Sequence, residues 1–196
     1  FLPMFGIGGL TGLPLGLAAS DIPLHDTYYV IGHFHYVVAP GTMFALFAGI
    51  YYWFPKVTGR LMNERLGQLH FWGSLIGMNG VFLPMFIQGL AGLNRRLYDG
   101  GRSYSQFAGF DGSFRGQAWS AAFLGVVQLC FVVNLVWSLV RGRRAQDNPW
   151  EATTLEWSTS SPPPEHNFHE PLVVYRGPYD YSVPGAAADF LGQTER

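Results

Sequence analysis

Two histidines, His33 and His35, stand in a stretch that carries no Asp, Glu, Lys or Arg from Thr27 to Pro55. Ionisable side chains in an apolar span are costly and are kept where they bind or react. On a helix of 3.6 residues per turn, positions two apart point about 200° from each other, so the two imidazoles leave opposite faces and cannot grip one ion together. Each can instead offer an axial nitrogen to its own haem. That arrangement predicts two irons on the order of 13 to 16 Å apart across the helix, with Phe34 between the ligands. The alternative reading is a pair of buried histidines hydrogen-bonded to neighbouring helices.

His25 and Asp26 precede this span. One imidazole nitrogen and one carboxylate form a partial ligand set for magnesium or manganese, which accept mixed ligands and keep several waters. A helix-capping Asp beside a surface His has the same appearance. Arg95 and Arg96 form a second charged pair. Adjacent guanidiniums suit carboxylates such as haem propionates, through bidentate charge-assisted hydrogen bonds, and interfacial anchoring is the alternative. His70 reads as a hydrogen-bonded or snorkelling residue. The single Cys130, flanked by Leu129 and Phe131, has no internal disulfide partner and reads as a small buried apolar residue.

The elements that position these groups follow from where charge is missing. Only 13% of residues are charged and 48% are hydrophobic, whereas a soluble domain carries about a quarter charged residues. Uncharged runs lie at Phe1–Ser20 and between Asp26 and Lys56, Arg65 and Arg95, and Arg115 and Arg141. The last three exceed the roughly 20 residues that cross a bilayer as a helix, and runs this long without strand-like alternation are helical. The expectation is an all-α integral membrane helix bundle over residues 1–144, with spans at about 1–16, 27–54, 66–92 and 117–141, and a polar Pro-rich tail over 145–196 lying along the protein surface. Phe1–Ser20 has no basic region or cleavage pattern of a signal peptide, and a start inside an apolar run reads as a portion of a longer chain. Alternation of the spans puts Lys56, Arg60, Arg65, Arg141, Arg143 and Arg144 on one face against Arg95, Arg96, Arg102 and Arg115 on the other. The excess places the tail on the cytoplasmic or matrix side. A net charge of −1 with no basic stripe gives no sign of nucleic acid as a partner, and none is expected.

The run from His25-Asp26-Thr27-Tyr28-Tyr29-Val30 to His33-Phe34-His35-Tyr36-Val37 closely resembles the tenth helix of haem-copper oxidase catalytic subunits, the cytochrome c oxidase subunit I family. Gly8-Gly9-Leu10-Thr11-Gly12, Trp53-Phe54-Pro55, Arg95-Arg96 and Asn148-Pro149-Trp150-Glu151-Ala152-Thr153-Thr154-Leu155-Glu156-Trp157 fit in the same order, so the likeness covers nearly the whole chain. The resemblance implies the C-terminal portion of a twelve-helix fold. It implies His33 as axial ligand of a high-spin haem and His35 as axial ligand of a low-spin haem, with haems of the A type. It further implies His25 and Asp26 as magnesium or manganese ligands completed by a partner subunit, Arg95 and Arg96 above the haem propionates, and Asp21 near the same propionates. The family's copper ligands lie upstream of Phe1, so activity is expected only within a complex.

By the same resemblance, the function is reduction of dioxygen to water with electrons from cytochrome c, coupled to proton pumping, in a bacterial plasma membrane or mitochondrial inner membrane. The implied partners are the upstream helices, a copper-containing second subunit, other oxidase subunits, cytochrome c and membrane lipid. A quinol oxidase of the same superfamily and a dihaem electron carrier of the cytochrome b kind are the redox alternatives; the two-residue spacing opposes the second. A transporter or structural membrane module is the alternative from another class. Pro40 removes an amide donor just after the two histidines, and its ring opposes the Tyr36 carbonyl, which predicts a kink.

Overall fold

A computed structural model describes residues 1–177, 179–180, 184–185 and 191–195. The expectation of a polar tail at 178, 181–183, 186–190 and 196 lies outside the described residues. The chain is helical: α1 Leu2–Leu15, α2 Ala18–Leu24, α3 Tyr28–Thr58, α4 Glu64–Leu90 and α5 Asp111–Arg141, with short 3-10 turns at Ser105–Phe110 and Leu155–Trp157. Among the described residues no strand forms, and isolated bridges join only Thr27 to Asn94 and Arg60 to Arg144.

Helices α3, α4 and α5 hold 31, 27 and 31 residues and are long and apolar enough to cross a membrane. Large apolar side chains such as Leu69, Trp72, Ile76, Ile87, Trp119, Phe123 and Trp137 are exposed along α4 and α5, as lipid or further apolar helices require. The molecule is therefore an integral membrane helix bundle. Each long helix complements its own dipole: Glu64 and Asp111 stand in the first turns of α4 and α5, and Lys56 and Arg141 in the last turns of α3 and α5. Helix α3 runs unbroken through Pro40.

The chain falls into two compact units, residues 1–48 with 65–132, and 49–64 with 133–196. In the first, α1 and α2 form a pair bent by 103°. The chain leaves α1 at Gly16 and enters α2 through the extended Leu17, and the Ser20 hydroxyl returns to the Pro14 carbonyl at 2.6 Å. The core here is Met4, Leu24, Tyr29, Tyr36 and Phe86. Small residues let α4 approach its neighbours: a Cβ on Gly73 would lie 2.6 Å from Val127 Cγ2, and one on Gly77 3.0 Å from Leu124 Cβ. Polar side chains inside this unit are paired across helices, as low dielectric demands. The Tyr36 hydroxyl donates to Asn79 Oδ1 at 2.7 Å, Gln88 Nε2 to Gln117 Oε1 at 2.9 Å, and Gln128 Nε2 to Ser74 Oγ at 3.0 Å. Buried His70 meets Gln128 Oε1 at 3.2 Å.

The second unit gathers the last turns of α3 and α5 with the tail. The Lys56 ammonium donates to the carbonyls of Asp147, Thr159 and Ser160 at 3.2, 2.8 and 3.3 Å, and lies 4.9 Å from the Trp157 ring centre. Trp150 Nε1 donates to the Tyr52 carbonyl at 2.9 Å. The Asn134 amide accepts from Asn63 N at 2.9 Å and donates to Asn63 O at 3.0 Å, which satisfies the backbone just before α4.

Candidate functional site

Thr27 starts the helix that carries both histidines. Its hydroxyl accepts from Tyr29 N at 3.2 Å, in the manner of an N-cap. One and a half turns on, His33 is turned toward α1. Its Nδ1 lies 2.8 Å from the Gly8 carbonyl and 3.3 Å from Thr11 Oγ1. A Cβ on Gly12 would fall 2.8 Å from the ring's Cε1, so the imidazole fills space that only glycine leaves open there.

His35 is turned toward α4. Its Nδ1 lies 2.8 Å from the Ile31 carbonyl one turn back. Its ring stacks on Phe82 with centres 4.4 Å apart and planes 14° apart, and on Phe34 with centres 4.4 Å apart and planes 29° apart. The two imidazoles thus meet different helices, as a two-residue step along a helix dictates.

The tautomer of each ring follows from these partners. A carbonyl oxygen only accepts, so each Nδ1 carries the hydrogen, and in the neutral ring that leaves the lone pair on Nε2. Among the described residues neither Nε2 has a hydrogen-bond partner. A histidine whose Nδ1–H is fixed on a backbone carbonyl, with a free Nε2, has the form of a metal ligand with its outer support in place. Each ring thus offers a free Nε2 of the kind a haem iron takes, one ring against α1 and the other against α4.

A second cluster stands at the start of the same helix. The backbones of residues 26–28 and 93–95 pair as a short ribbon, with Arg95 N on the Asp26 carbonyl at 2.8 Å and Tyr28 N on the Leu93 carbonyl at 2.9 Å. Asp26, within it, and Arg96, just after it, adopt positive φ values of 58° and 67°. The ribbon sets Arg95 beside Asp26: Nε donates to Oδ1 at 2.7 Å and Nη2 approaches the same oxygen. The Arg95 hydrogen bond and charge hold the Asp26 carboxyl below its ordinary value despite some desolvation, with His25 and Arg96 adding smaller pulls.

His25 bridges two carboxylates, with Nδ1 3.4 Å from Asp21 Oδ2 and Nε2 3.8 Å from Asp26 Oδ2. Asp21, His25, Asp26 and Arg95 therefore come together, while Arg96 is exposed with no ion pair among the described residues. No group of three or more His, Cys, Asp or Glu able to hold a metal ion occurs among the described residues. Any cation at His25 and Asp26 needs ligands from elsewhere.

Sequence reasoning singled out both histidines but not the supports of their rings. The Gly8 carbonyl, the gap at Gly12 and the Phe82 face all come from other helices. Only the glycine-rich run Gly8-Gly9-Leu10-Thr11-Gly12 gave a signal, through its likeness to a family block.

Residues 1–127 match the family model described as cytochrome c and quinol oxidase polypeptide I. The chain is 48% identical over 187 residues to cytochrome c oxidase subunit 1 of a Synechocystis species, and 50% identical over 184 residues to that of Thermostichus vulcanus; each match covers 93% of this chain and 32% of the relative. It is 44% identical over 197 residues to the alternative cytochrome c oxidase subunit 1 of Bradyrhizobium diazoefficiens, covering all of this chain and 33% of the relative. The chain spans about a third of the length of the curated relatives it matches.

Proposed function

The chain belongs to the cytochrome c and quinol oxidase polypeptide I family, and from that premise we propose that it forms the part of a terminal oxidase that supplies one axial ligand to each of two haems. His33 is the ligand of the high-spin haem and His35 the ligand of the low-spin haem. The observation that carries this reading is the matched state of the two rings: Nδ1 bonded to a carbonyl at 2.8 Å in both, Nε2 open, and the rings turned to different helices.

Bound haem, with copper held by residues outside this chain, supplies the redox chemistry that reduces dioxygen to water. The chain's own residues orient and insulate it. The Gly8 and Ile31 carbonyls pull on Nδ1–H and raise the donor strength of each Nε2. Phe34 stands between the two ligands in sequence and stacks on the His35 ring. Arg95 and Arg96 offer positive charge to haem propionates, with Asp21 in the same region, and Arg95 divides its charge with Asp26. His25 and Asp26 supply two ligands for magnesium or manganese, completed by a copper-containing second subunit.

The donor is cytochrome c, supported by the His25-Asp26 pair and by the relatives' names. Electron transfer is coupled to proton pumping across a bacterial plasma membrane or mitochondrial inner membrane. The test is His33→Ala and His35→Ala in the assembled oxidase. The first should abolish the carbon-monoxide-sensitive high-spin spectrum and the second the low-spin spectrum. Two unchanged spectra would reject the ligand roles.

A further inference from the structure

A ligand that must hold an iron in one orientation needs its ring plane fixed, and a hydrogen bond to one nitrogen does not fix it alone. The torsion that turns an imidazole about its Cβ–Cγ bond has broad minima, so the plane is set by what lies against the two faces of the ring.

For His35 those faces are filled. Phe82 covers one, with centres 4.4 Å apart and planes 14° apart, and Phe34 stacks at the same distance with planes 29° apart. Among the described residues Phe34 and Phe82 make no ring contact with each other. Two near-parallel rings stacked on one face would collide edge to edge, so they take opposite faces. The Nε2 edge is left open between them.

Phe82 is itself held. It packs against the cluster of Met4, Leu24, Tyr29, Tyr36 and Phe86. One turn along α4, Phe86 lies 3.2 Å from the position a Cβ on Gly32 would take, and its ring meets Tyr29 edge-on at 5.1 Å. Three residues below Phe82, Asn79 accepts the Tyr36 hydroxyl at 2.7 Å. The Asn79, Phe82 and Phe86 face of α4 is thus keyed to α3 on both sides of His35. A side chain locked in this way can transmit a fixed orientation to the ligand it covers.

We infer that Phe82 is a positioning residue for the low-spin haem: its ring, docked on α3 through α4, sets the plane of the His35 imidazole and with it the electronic asymmetry of the iron. This rests on the reading of His35 as a haem ligand. The orientation of an axial ring is one of the levers by which a protein tunes haem, and it is visible in the electron paramagnetic resonance lines of the oxidised low-spin iron.

The experiment uses the assembled oxidase carrying Phe82→Leu and, separately, Phe82→Tyr, with haem content measured in each. Phe82→Leu should shift and broaden the low-spin resonance and displace the low-spin optical band, leaving the carbon-monoxide difference spectrum of the high-spin haem as in the parent. Phe82→Tyr, which keeps the ring, should restore the parent line. A Phe82→Leu oxidase with full haem content and an unaltered low-spin resonance overturns the inference, as does a Phe82→Tyr line no nearer the parent. If Phe82→Leu does not assemble, Phe82→Met fills a similar volume without a ring and is judged by the same line. Coordinates of the parent oxidase with Phe82 off the His35 face would also overturn it. His35→Ala separates the two layers: retention of the low-spin haem in that variant defeats the ligand reading itself.

Discussion

A Cβ on Gly12 would stand 2.8 Å from Cε1 of His33, so α1 can approach this imidazole only where it has no side chain. Gly12→Ala should push the ring off the Gly8 carbonyl and away from its present direction. Overpacking of this kind costs about 1–3 kcal/mol. The expected outcome is loss of high-spin haem from the assembled oxidase with the low-spin haem retained. Gly9→Ala, where nothing of this chain lies within 4 Å, is the control and should keep both. Pyridine haemochrome content with carbon monoxide difference spectra checks the pair.

Lys56 is 6% exposed, yet its ammonium holds the carbonyls of Asp147, Thr159 and Ser160 and faces Trp157. A hydrogen bond to a charged group contributes about 1.5–3 kcal/mol, and orphaned buried carbonyls add their own penalty. Lys56→Met should therefore loosen the tail by about 3 kcal/mol. Limited proteolysis of the assembled oxidase should show faster cleavage between Asp147 and Ser160, with haem spectra unchanged. Equal cleavage rates would remove Lys56 as the anchor.

Asp99 closes the loop after α4. Its Oδ1 accepts Gly101 N at 2.9 Å, its Oδ2 accepts Ser103 N at 2.8 Å, and the Ser103 hydroxyl bonds to the same oxygen. The Ser103 hydroxyl, followed by the Gly101 and Ser103 amides, holds the carboxyl below its ordinary value of 3.8. A carboxyl depressed in the folded chain stabilises it above the unfolded value, and that contribution is lost as pH falls through the folded value. Amide exchange at Gly101 and Ser103 should stay slow near neutral pH and lose protection only below 3.8. Asp99→Ala should lose that protection at every pH.

The membrane bundle was legible because lipid leaves the backbone few choices. Uncharged runs such as Leu66–Asn94 must satisfy their own amides, so charge gaps alone mark helices. That His33 and His35 meet different helices was legible for a similar reason, since the helical period separates them locally. The end of the first span near residue 16 was read, but the short helix α2 after it was hidden, because Ala18–Leu24 is seven residues holding Ser20, Asp21 and Pro23, too few to show a helical pattern. The ribbon pairing Thr27 with Asn94 joins residues far apart in sequence, and no local pattern announces it. Phe82 was hidden among many aromatics in apolar helices; only the meeting of α3 and α4 picks out the ring that lies over His35.

The contact of α4 with α5 offers a test of how closely the bundle is keyed. A Cβ on Gly73 would lie 2.6 Å from Val127 Cγ2, whereas Ile76 on the same helix is 63% exposed. Gly73→Ala should cost about 1–3 kcal/mol, because a packed interface cannot absorb a methyl without moving a helix. Ile76→Val, away from the contact, should stay within about 0.5 kcal/mol. The steric origin is separable from any intrinsic effect of glycine on the helix, since Ala is the better helix former. Val127→Ala removes the opposing methyls, so in that background Gly73→Ala should become neutral or stabilising. A double-mutant cycle on the assembled oxidase, read by denaturant midpoint, gives the coupling directly. A coupling near zero would mean that α4 and α5 do not meet at Gly73 and Val127, and that the spacing of Gly73 and Gly77 serves some other surface.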